Sequence, residues 1–120
     1  MKRLLTIAFT FGLVIISWIC DAQTAYITNG ASASVSVINV TTNSVVSTIP
    51  VGIEPGGVSV SPDGSKVYVT NATAHSVSVI NTATNTVSST IIVGMDPFHV
   101  TISPDGSKAY HMLRIGVVIQ

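Results

Sequence analysis

Two stretches of this chain repeat each other at a fixed spacing of 42 residues. The run YITN at 26–29 returns as YVTN at 68–71, and SPDGSK at 61–66 returns unchanged at 103–108. Aligning Tyr26–Val67 with Tyr68–Ala109 gives 25 identities in 42 pairs. Self-similarity of this kind is typical of stacked repeats, in which each repeat is one supersecondary unit. The duplication therefore constrains architecture more than chemistry, because residues common to both copies are mostly those that build the unit.

One repeat is predicted to contain four short strands. Gly57–Ser61 alternates apolar with small polar side chains, and the following Pro-Asp-Gly fits a tight hairpin turn into Lys66–Thr70. Ser76–Ile80 and Val87–Val93 supply the third and fourth strands. Four antiparallel strands repeated every 42 residues are typical of β-propeller blades. We therefore expect an all-β protein built of four-stranded antiparallel blades.

A flat meander or a sandwich is the alternative architecture. Antiparallel sheets with one solvated face usually show charge on that face. Charged residues make up only 8% of this chain, whereas soluble proteins average roughly 25%. The second face of each predicted strand carries Ser, Thr and Ala instead, which favours sheets covered by a neighbouring sheet on both sides.

Residues 1–22 precede the repeats and are predicted to be a secretory signal peptide. Met1–Arg3 is a basic head, Leu4–Ile19 is apolar and uncharged, and cleavage is expected after Ala22. A retained membrane anchor is an alternative, although the run is shorter than the ~20 residues that span a bilayer. A lipoprotein signal would use Cys20, but Trp18 and Ile19 occupy positions where that pattern has small residues. A buried helix is the remaining alternative.

Cleavage would leave residues 23–120 as the repeat region, outside the cytoplasm. Cys20 is the only cysteine, so the mature chain would carry no thiol and would suit an oxidising compartment. The chain is close to neutral and has no basic patch, which argues against nucleic acid as a partner. We expect no stable membrane span after cleavage.

The repeat motifs resemble those of the YVTN family of β-propeller repeats. The resemblance rests on YVTN at 68–71, SVSVIN at 76–81, VGxxP at 93–97 and SPDG at 103–106, and it covers Thr24 to about Tyr110. It implies a propeller fold, and repeats of this family occur in surface-layer and other exported proteins. The wider set of similar propellers includes sugar lactonases, cofactor-associated redox proteins and proteins with no known chemistry. The resemblance therefore implies a fold and leaves the activity open.

Candidate ligand-binding residues come from loops in which the two copies differ. In a propeller, loops 51–57 and 93–99 would open at the mouth of the central channel. Glu54 and Asp96 occupy equivalent places there, and His99 stands where the earlier copy has Gly57. A histidine and a carboxylate at a channel mouth could bind a divalent cation or act as a base, and solvated loop residues are the alternative. We assign no catalytic residue, no metal site and no cofactor, and we interpret Asp63 and Asp105 as turn builders.

The repeat region holds about two and a third repeats, whereas propellers close with ~4–8 blades. After Tyr110 the sequence departs from the repeat, as expected of a fragment of a larger propeller or of a divergent closing strand. Open blade faces are expected to promote self-association. The expected function is a binding or scaffold module at the cell surface or in the periplasm, with an unknown ligand or protein as partner. The alternative is a lactonase-like or cofactor-associated enzyme with a cation at the channel mouth.

Overall fold

The structure is a computed structural model that describes residues 3–10, 13–20, 23–113 and 118–119, with side chains described over 23–113. Strands β1 (Arg3–Thr10) and β2 (Leu13–Cys20) pair with each other in antiparallel fashion. The following strands are β3 (Thr24–Asn29), β4 (Ser34–Asn39), β5 (Ser44–Pro50), β6 (Pro55–Val60), β7 (Lys66–Asn71), β8 (Ser76–Asn81), β9 (Thr86–Ile92), β10 (Pro97–Ile102), β11 (Ala109–Leu113) and β12 (Val118–Ile119). One short 3-10 turn, Gly30–Ser32, separates β3 from β4.

Three antiparallel sheets follow the β1–β2 pair. The first sheet has the order β3-β4-β5, the second β6-β7-β8-β9 and the third β10-β11-β12. The second sheet is the four-stranded unit that the repeat predicts, so the all-β prediction of antiparallel propeller blades is confirmed. The described residues contain no helix of the length and apolarity that crossing a bilayer requires.

Side chains alternate between the two faces of each sheet along every strand, so each sheet has two faces that carry different residues. In the second sheet, Val69 lies opposite Val58 on β6 and Ser78 on β8, so these three side chains share one face. Tyr68 lies opposite Val79, and both belong to the other face. Because neither face carries a charge among these residues, both can pack against a neighbouring sheet.

The Ser-Pro-Asp-Gly runs build identical hairpin turns. The Asp63 carboxylate accepts hydrogen bonds from the Ser61 hydroxyl at 2.7 Å and from the Ser65 amide and hydroxyl at 3.0 and 2.8 Å, while Gly64 takes a φ of 73°. These bonds, the Ser61 hydroxyl first, lower the Asp63 pKa to about 2. Asp105 has the same partners in the next repeat and the same low pKa of about 2. The interpretation of both aspartates as turn builders is confirmed.

The asparagine of each YVTN-type run forms side-chain hydrogen bonds to the neighbouring strand. Asn71 Nδ2 donates to the hydroxyls of Ser76 at 3.1 Å and Ser78 at 2.9 Å. Asn29 makes the same pair of bonds, at the same two lengths, to the serines that begin β4. The recurrence of asparagine and of the Ser-x-Ser pattern therefore reflects the assembly of the sheet.

The threonine of the same run joins one sheet to the next. Thr70 is fully buried, and its hydroxyl accepts the Gly57 amide of the same sheet at 2.8 Å and donates to the Phe98 carbonyl oxygen of the third sheet at 3.5 Å. The Thr28 hydroxyl donates to the Gly56 carbonyl at 2.9 Å, which links the first sheet to the second. A Cβ at Gly57 would lie 2.9 Å from the Cα of His99, so the second and third sheets approach each other too closely there for a side chain.

The main core lies between the first and second sheets, and we call it the closed seam. Its buried side chains are all aliphatic and at most 2% exposed. They are Val35, Val37 and Ile49 from the first sheet and Val67, Val69 and Ile80 from the second. Packing of whole sheets face to face is the arrangement of adjacent propeller blades, and the described sheets form an incomplete propeller arc.

The two ends of the sequence bear on two further predictions. The predicted signal peptide falls on β1, β2 and on residues outside the described ones, so its cleavage stays a prediction. In the third repeat, antiparallel pairing with β10 continues through Leu113 although the sequence departs from the repeat after Tyr110. Residues 114–117 and 120 lie outside the described residues, so the choice between a fragment and a divergent closing strand also stays open.

Candidate functional site

Two equivalent loops, 51–57 and 93–99, lie side by side at one end of the stacked sheets. Each connects the outer strand of one sheet with the first strand of the next. The loops adjoin, because a Cβ on Gly56 would lie 3.5 Å from the carbonyl oxygen of Phe98. The Asp63 and Asp105 turns lie at the other end of the strands. We call the end formed by these two loops the loop face.

Glu54 is exposed and is held in an unusual backbone conformation, with a φ of 58°. Its carboxylate accepts a hydrogen bond from the Thr73 hydroxyl. Its carbonyl oxygen accepts the Ala72 amide at 2.9 Å. The loop between β7 and β8 therefore fixes both the backbone and the carboxylate of Glu54.

Asp96 is the equivalent residue of the next repeat and has a φ of 49°. Its amide donates to Nδ1 of His75 at 3.3 Å, and the carbonyl oxygen of His75 accepts the Val93 amide at 2.9 Å. His75 thus positions the second loop. Its loop position gave no sequence signal for this role, because the earlier copy has Ala33 there.

His99 is exposed on β10, where a register shift separates it from Pro97. Its backbone packs against Gly57, which explains why the position equivalent to His99 is glycine in the earlier repeat. The Glu54 carboxylate is bonded to Thr73, and no hydrogen bond joins Glu54 or Asp96 to His99 within the described part of the chain. In that part, no group of three or more His, Cys, Asp or Glu side chains is arranged to hold a metal ion.

Apolar side chains on the loop face are the feature that sequence reasoning missed. Ile53, Met95 and Phe98 are 62%, 75% and 62% exposed. Ile53 and Met95 are equivalent, and each directly precedes the acidic residue of its loop. The recurrence of an apolar residue followed by an acidic one in both loops was the sequence signal that could have identified this surface. Exposed apolar side chains that lie together on one surface are a feature of interaction sites.

A second feature, which we call the open groove, lies between the second and third sheets. Its volume is about 380 Å³. Within the described residues, Nε2 of His111 is buried there and has no hydrogen-bond partner. The lining is mostly apolar and consists of Tyr68, Val77, Ile91, Ile92, Val93, Gly94, Val100, Ala109, Tyr110 and His111.

Comparison with known proteins agrees with the geometry. The family described as YNCE-like beta-propeller matches residues 2–109. Kuenenia stuttgartiensis hydrazine synthase is 36% identical, with a TM-score of 0.74 over 75% of this chain and 26% of that one. No curated protein sequence matches the chain.

Two further solved structures share the fold at lower identity. The dihydro-heme d1 dehydrogenase NirN is 18% identical, with a TM-score of 0.68 over 78% of this chain and 21% of its own. A putative 6-phosphogluconolactonase from Bacteroides uniformis is 15% identical, with a TM-score of 0.63 over 94% of this chain and 41% of its own. The chain thus spans between about a fifth and two fifths of the length of these three solved structures.

Proposed function

The chain belongs to the YNCE-like β-propeller family, and from that premise we propose that it acts outside the cytoplasm as a binding or scaffold module, at the cell surface or in the periplasm. The residues that recur in both repeats are used for assembly: Asp63 and Asp105 build turns, Asn71 joins neighbouring strands, and Thr70 joins two sheets. What remains for recognition is the loop face, where the repeats differ.

The exposure of Ile53, Met95 and Phe98 beside two acidic residues carries this proposal. Glu54 and Asp96 lie on backbone that hydrogen bonds from the β7–β8 loop hold in place. A surface fixed before binding loses less conformational entropy when a partner docks. The partner that fits is a protein segment with apolar side chains and Lys or Arg, because the apolar side chains would be buried and the carboxylates would be paired.

Selection of random displayed peptides against the purified protein tests the binding role. We expect enriched peptides to combine aromatic or aliphatic residues with Lys or Arg. Their affinity should fall about tenfold or more in Phe98→Ser and Met95→Ser, because truncating a central apolar anchor removes much of the binding energy. Val46→Ser is the matched control, since Val46 is an apolar residue that is also exposed, on β5 and away from the loop face. Peptides that bind both loop variants as well as the unchanged protein would refute the proposal.

Export rests on residues 1–22. The basic head and the uncharged apolar run are the features of a secretory signal. Mass spectrometry of the protein recovered outside the cytoplasm should find Gln23 at its N-terminus. A protein that keeps Met1 and sediments with membranes would indicate an anchor instead.

A cation-dependent lactonase is the second candidate function. It is supported by the exposure of Glu54, Asp96 and His99 on adjoining loops, which leaves them accessible to a ligand. Titration with calcium or manganese by calorimetry, together with a lactone hydrolysis assay, separates the two functions. Binding and turnover that disappear in His99→Ala and Asp96→Ala would replace the binding module by an enzyme.

A further inference from the structure

Asparagine directly before glycine occurs once in this chain, at Asn29-Gly30. The pair lies where β3 ends and the short 3-10 turn to β4 begins. Because glycine has no Cβ, its amide nitrogen can approach the side-chain carbonyl carbon of the preceding residue without hindrance. The turn between β3 and β4 therefore contains the pair of residues in which an asparagine side chain reacts most readily with its own backbone.

The fold does not require glycine at this position. The equivalent residue of the next repeat is Ala72. Gly30 is not among the described residues that have a positive φ. A Cβ on Gly30 would meet its nearest atom, the carbonyl oxygen of Pro55, at an ordinary 3.7 Å. Neither backbone conformation nor close packing thus explains the glycine.

The two equivalent asparagines also differ in their surroundings. Asn29 is half-buried, Gly30 is exposed, and the Gly30 amide has no hydrogen-bond partner in the part of the chain that the structure describes. Asn71 is fully buried, and the amide of Ala72 donates to the carbonyl oxygen of Glu54 at 2.9 Å. The side chain and the following amide are accessible together in the first repeat and sequestered together in the second.

We propose that Asn29 is a modification site, at which the side chain deamidates through a cyclic imide with water as the only co-reactant. The amide nitrogen of Gly30 loses its proton and bonds to Cγ of Asn29. The bond between Cγ and Nδ2 breaks, and Nδ2 takes up a proton and leaves as ammonia. Water then opens the imide: attack at the side-chain carbonyl carbon gives aspartate, and attack at the backbone carbonyl carbon gives isoaspartate.

The two products have different effects on the first sheet. Nδ2 of Asn29 donates to the hydroxyls of Ser34 at 3.1 Å and Ser36 at 2.9 Å. Aspartate keeps the backbone unchanged, and its carboxylate accepts hydrogen bonds from the same hydroxyls. Isoaspartate lengthens the main chain by one carbon atom and displaces the pairing of residue 29 with Ser34. Val35 of the closed seam follows directly, so the isoaspartate form loosens the sheet at its core.

Incubation of the purified protein in mildly alkaline buffer tests the proposal, with peptide mapping by mass spectrometry to locate each converted asparagine. Asn29 should convert at least about tenfold faster than Asn71, because a buried asparagine reacts only after local opening. The map should contain both aspartate and isoaspartate at position 29. Amides of β4 should exchange faster in the isoaspartate form than in the aspartate form. None of these measurements depends on the binding role of the loop face.

Two variants separate the effect of the following residue from that of the fold. Gly30→Ala should slow the conversion of Asn29 at least about tenfold, and circular dichroism should show unchanged strand content. Ala72→Gly places glycine after Asn71 as well, yet Asn71 should stay at least about tenfold slower than Asn29 because it remains buried. An Asn29 that does not convert would overturn the proposal. So would an Asn71 that converts as fast as Asn29 in Ala72→Gly.

Discussion

The closed seam and the open groove are made from the same repeat, yet they pack differently. In the closed seam, six aliphatic side chains reach an exposure of 2% or less. In the open groove, about 380 Å³ remains between the sheets. Val67 and Val69 on one side of the closed seam are replaced by Ala109 and His111 in the open groove.

The difference separates the residues that fold each sheet from the residues that pack one sheet against the next. Turn bonds at Asp63 and Asp105 are the same in both copies, so each hairpin forms whatever its neighbour is. Core formation requires in addition that the facing sheet supplies aliphatic volume, which Val67 does and Ala109 does not.

Truncation inside the closed seam should have the largest effect. Ile80→Ala removes a fully buried side chain and is expected to lower the free energy of unfolding by about 2–5 kcal/mol in urea denaturation. Ile91→Ala, at the open groove, should cost about 1 kcal/mol because the side chain is half exposed already. Equal losses for the two variants would mean that the two spaces are packed alike.

Adding a methyl group where the second and third sheets touch should have the next largest effect. A Cβ at Gly57 would lie 2.9 Å from the Cα of His99 and 3.0 Å from the Val100 amide nitrogen, so backbone must move. We expect Gly57→Ala to lower the free energy of unfolding by about 1–3 kcal/mol. Gly56→Ala is the matched control, since its Cβ would meet its nearest atom at an ordinary 3.5 Å. If both variants unfold at the same urea concentration, the sheets do not touch as described.

Removing the hydroxyl that joins two sheets should have a smaller effect. Thr70→Val leaves the Gly57 amide of its own sheet without its 2.8 Å acceptor and the Phe98 carbonyl oxygen of the next sheet without its donor, and should cost about 1–2 kcal/mol in chemical denaturation. Thr28→Val removes the equivalent hydroxyl at the more exposed contact with Gly56, and it should cost less. A larger loss for Thr28→Val would reverse the ranking of the two contacts.

Acid should weaken both repeats equally, and this is the smallest expected effect. The pKa values of Asp63 and Asp105 fall from 3.8 to about 2 on folding, so both carboxylates stabilise the fold above their unfolded pKa. That contribution is lost as pH falls from 3.8 towards 2. Asp63→Asn and Asp105→Asn should each flatten the fall in melting temperature between about pH 7 and about pH 2.5 by a similar amount. A variant that leaves this fall unchanged would show that its turn bonds do not form.

Features that depend on neighbouring residues in the chain could be predicted from the sequence alone. Alternation of apolar and polar residues located β6 to β9 within three residues at each end, and the Pro-Asp-Gly runs identified the turns at Asp63 and Asp105. Glu54 and Asp96 were correctly placed in equivalent loops. Whether these acidic residues and His99 bind a ligand stays a prediction.

Features that depend on which sheets meet were not available from the sequence. The close approach of Gly57 to His99 joins residues 42 positions apart, and it appears only when the sheets are stacked. The buried nitrogen of His111 has the same origin, because its place on β11 follows from pairing that the departing sequence did not indicate. The exposed Phe98 was missed because a strand pattern does not tell whether an apolar loop residue is covered.

Amide hydrogen exchange measured by NMR tests most directly the claim that one seam is closed and the other open. Amides of β7 and β8, the two central strands of the second sheet, should exchange only on global unfolding and be the slowest in the protein. Amides of β10 and β11, which border the open groove, should exchange at least about 100-fold faster through local opening. Equal protection of the two pairs of strands would contradict the account.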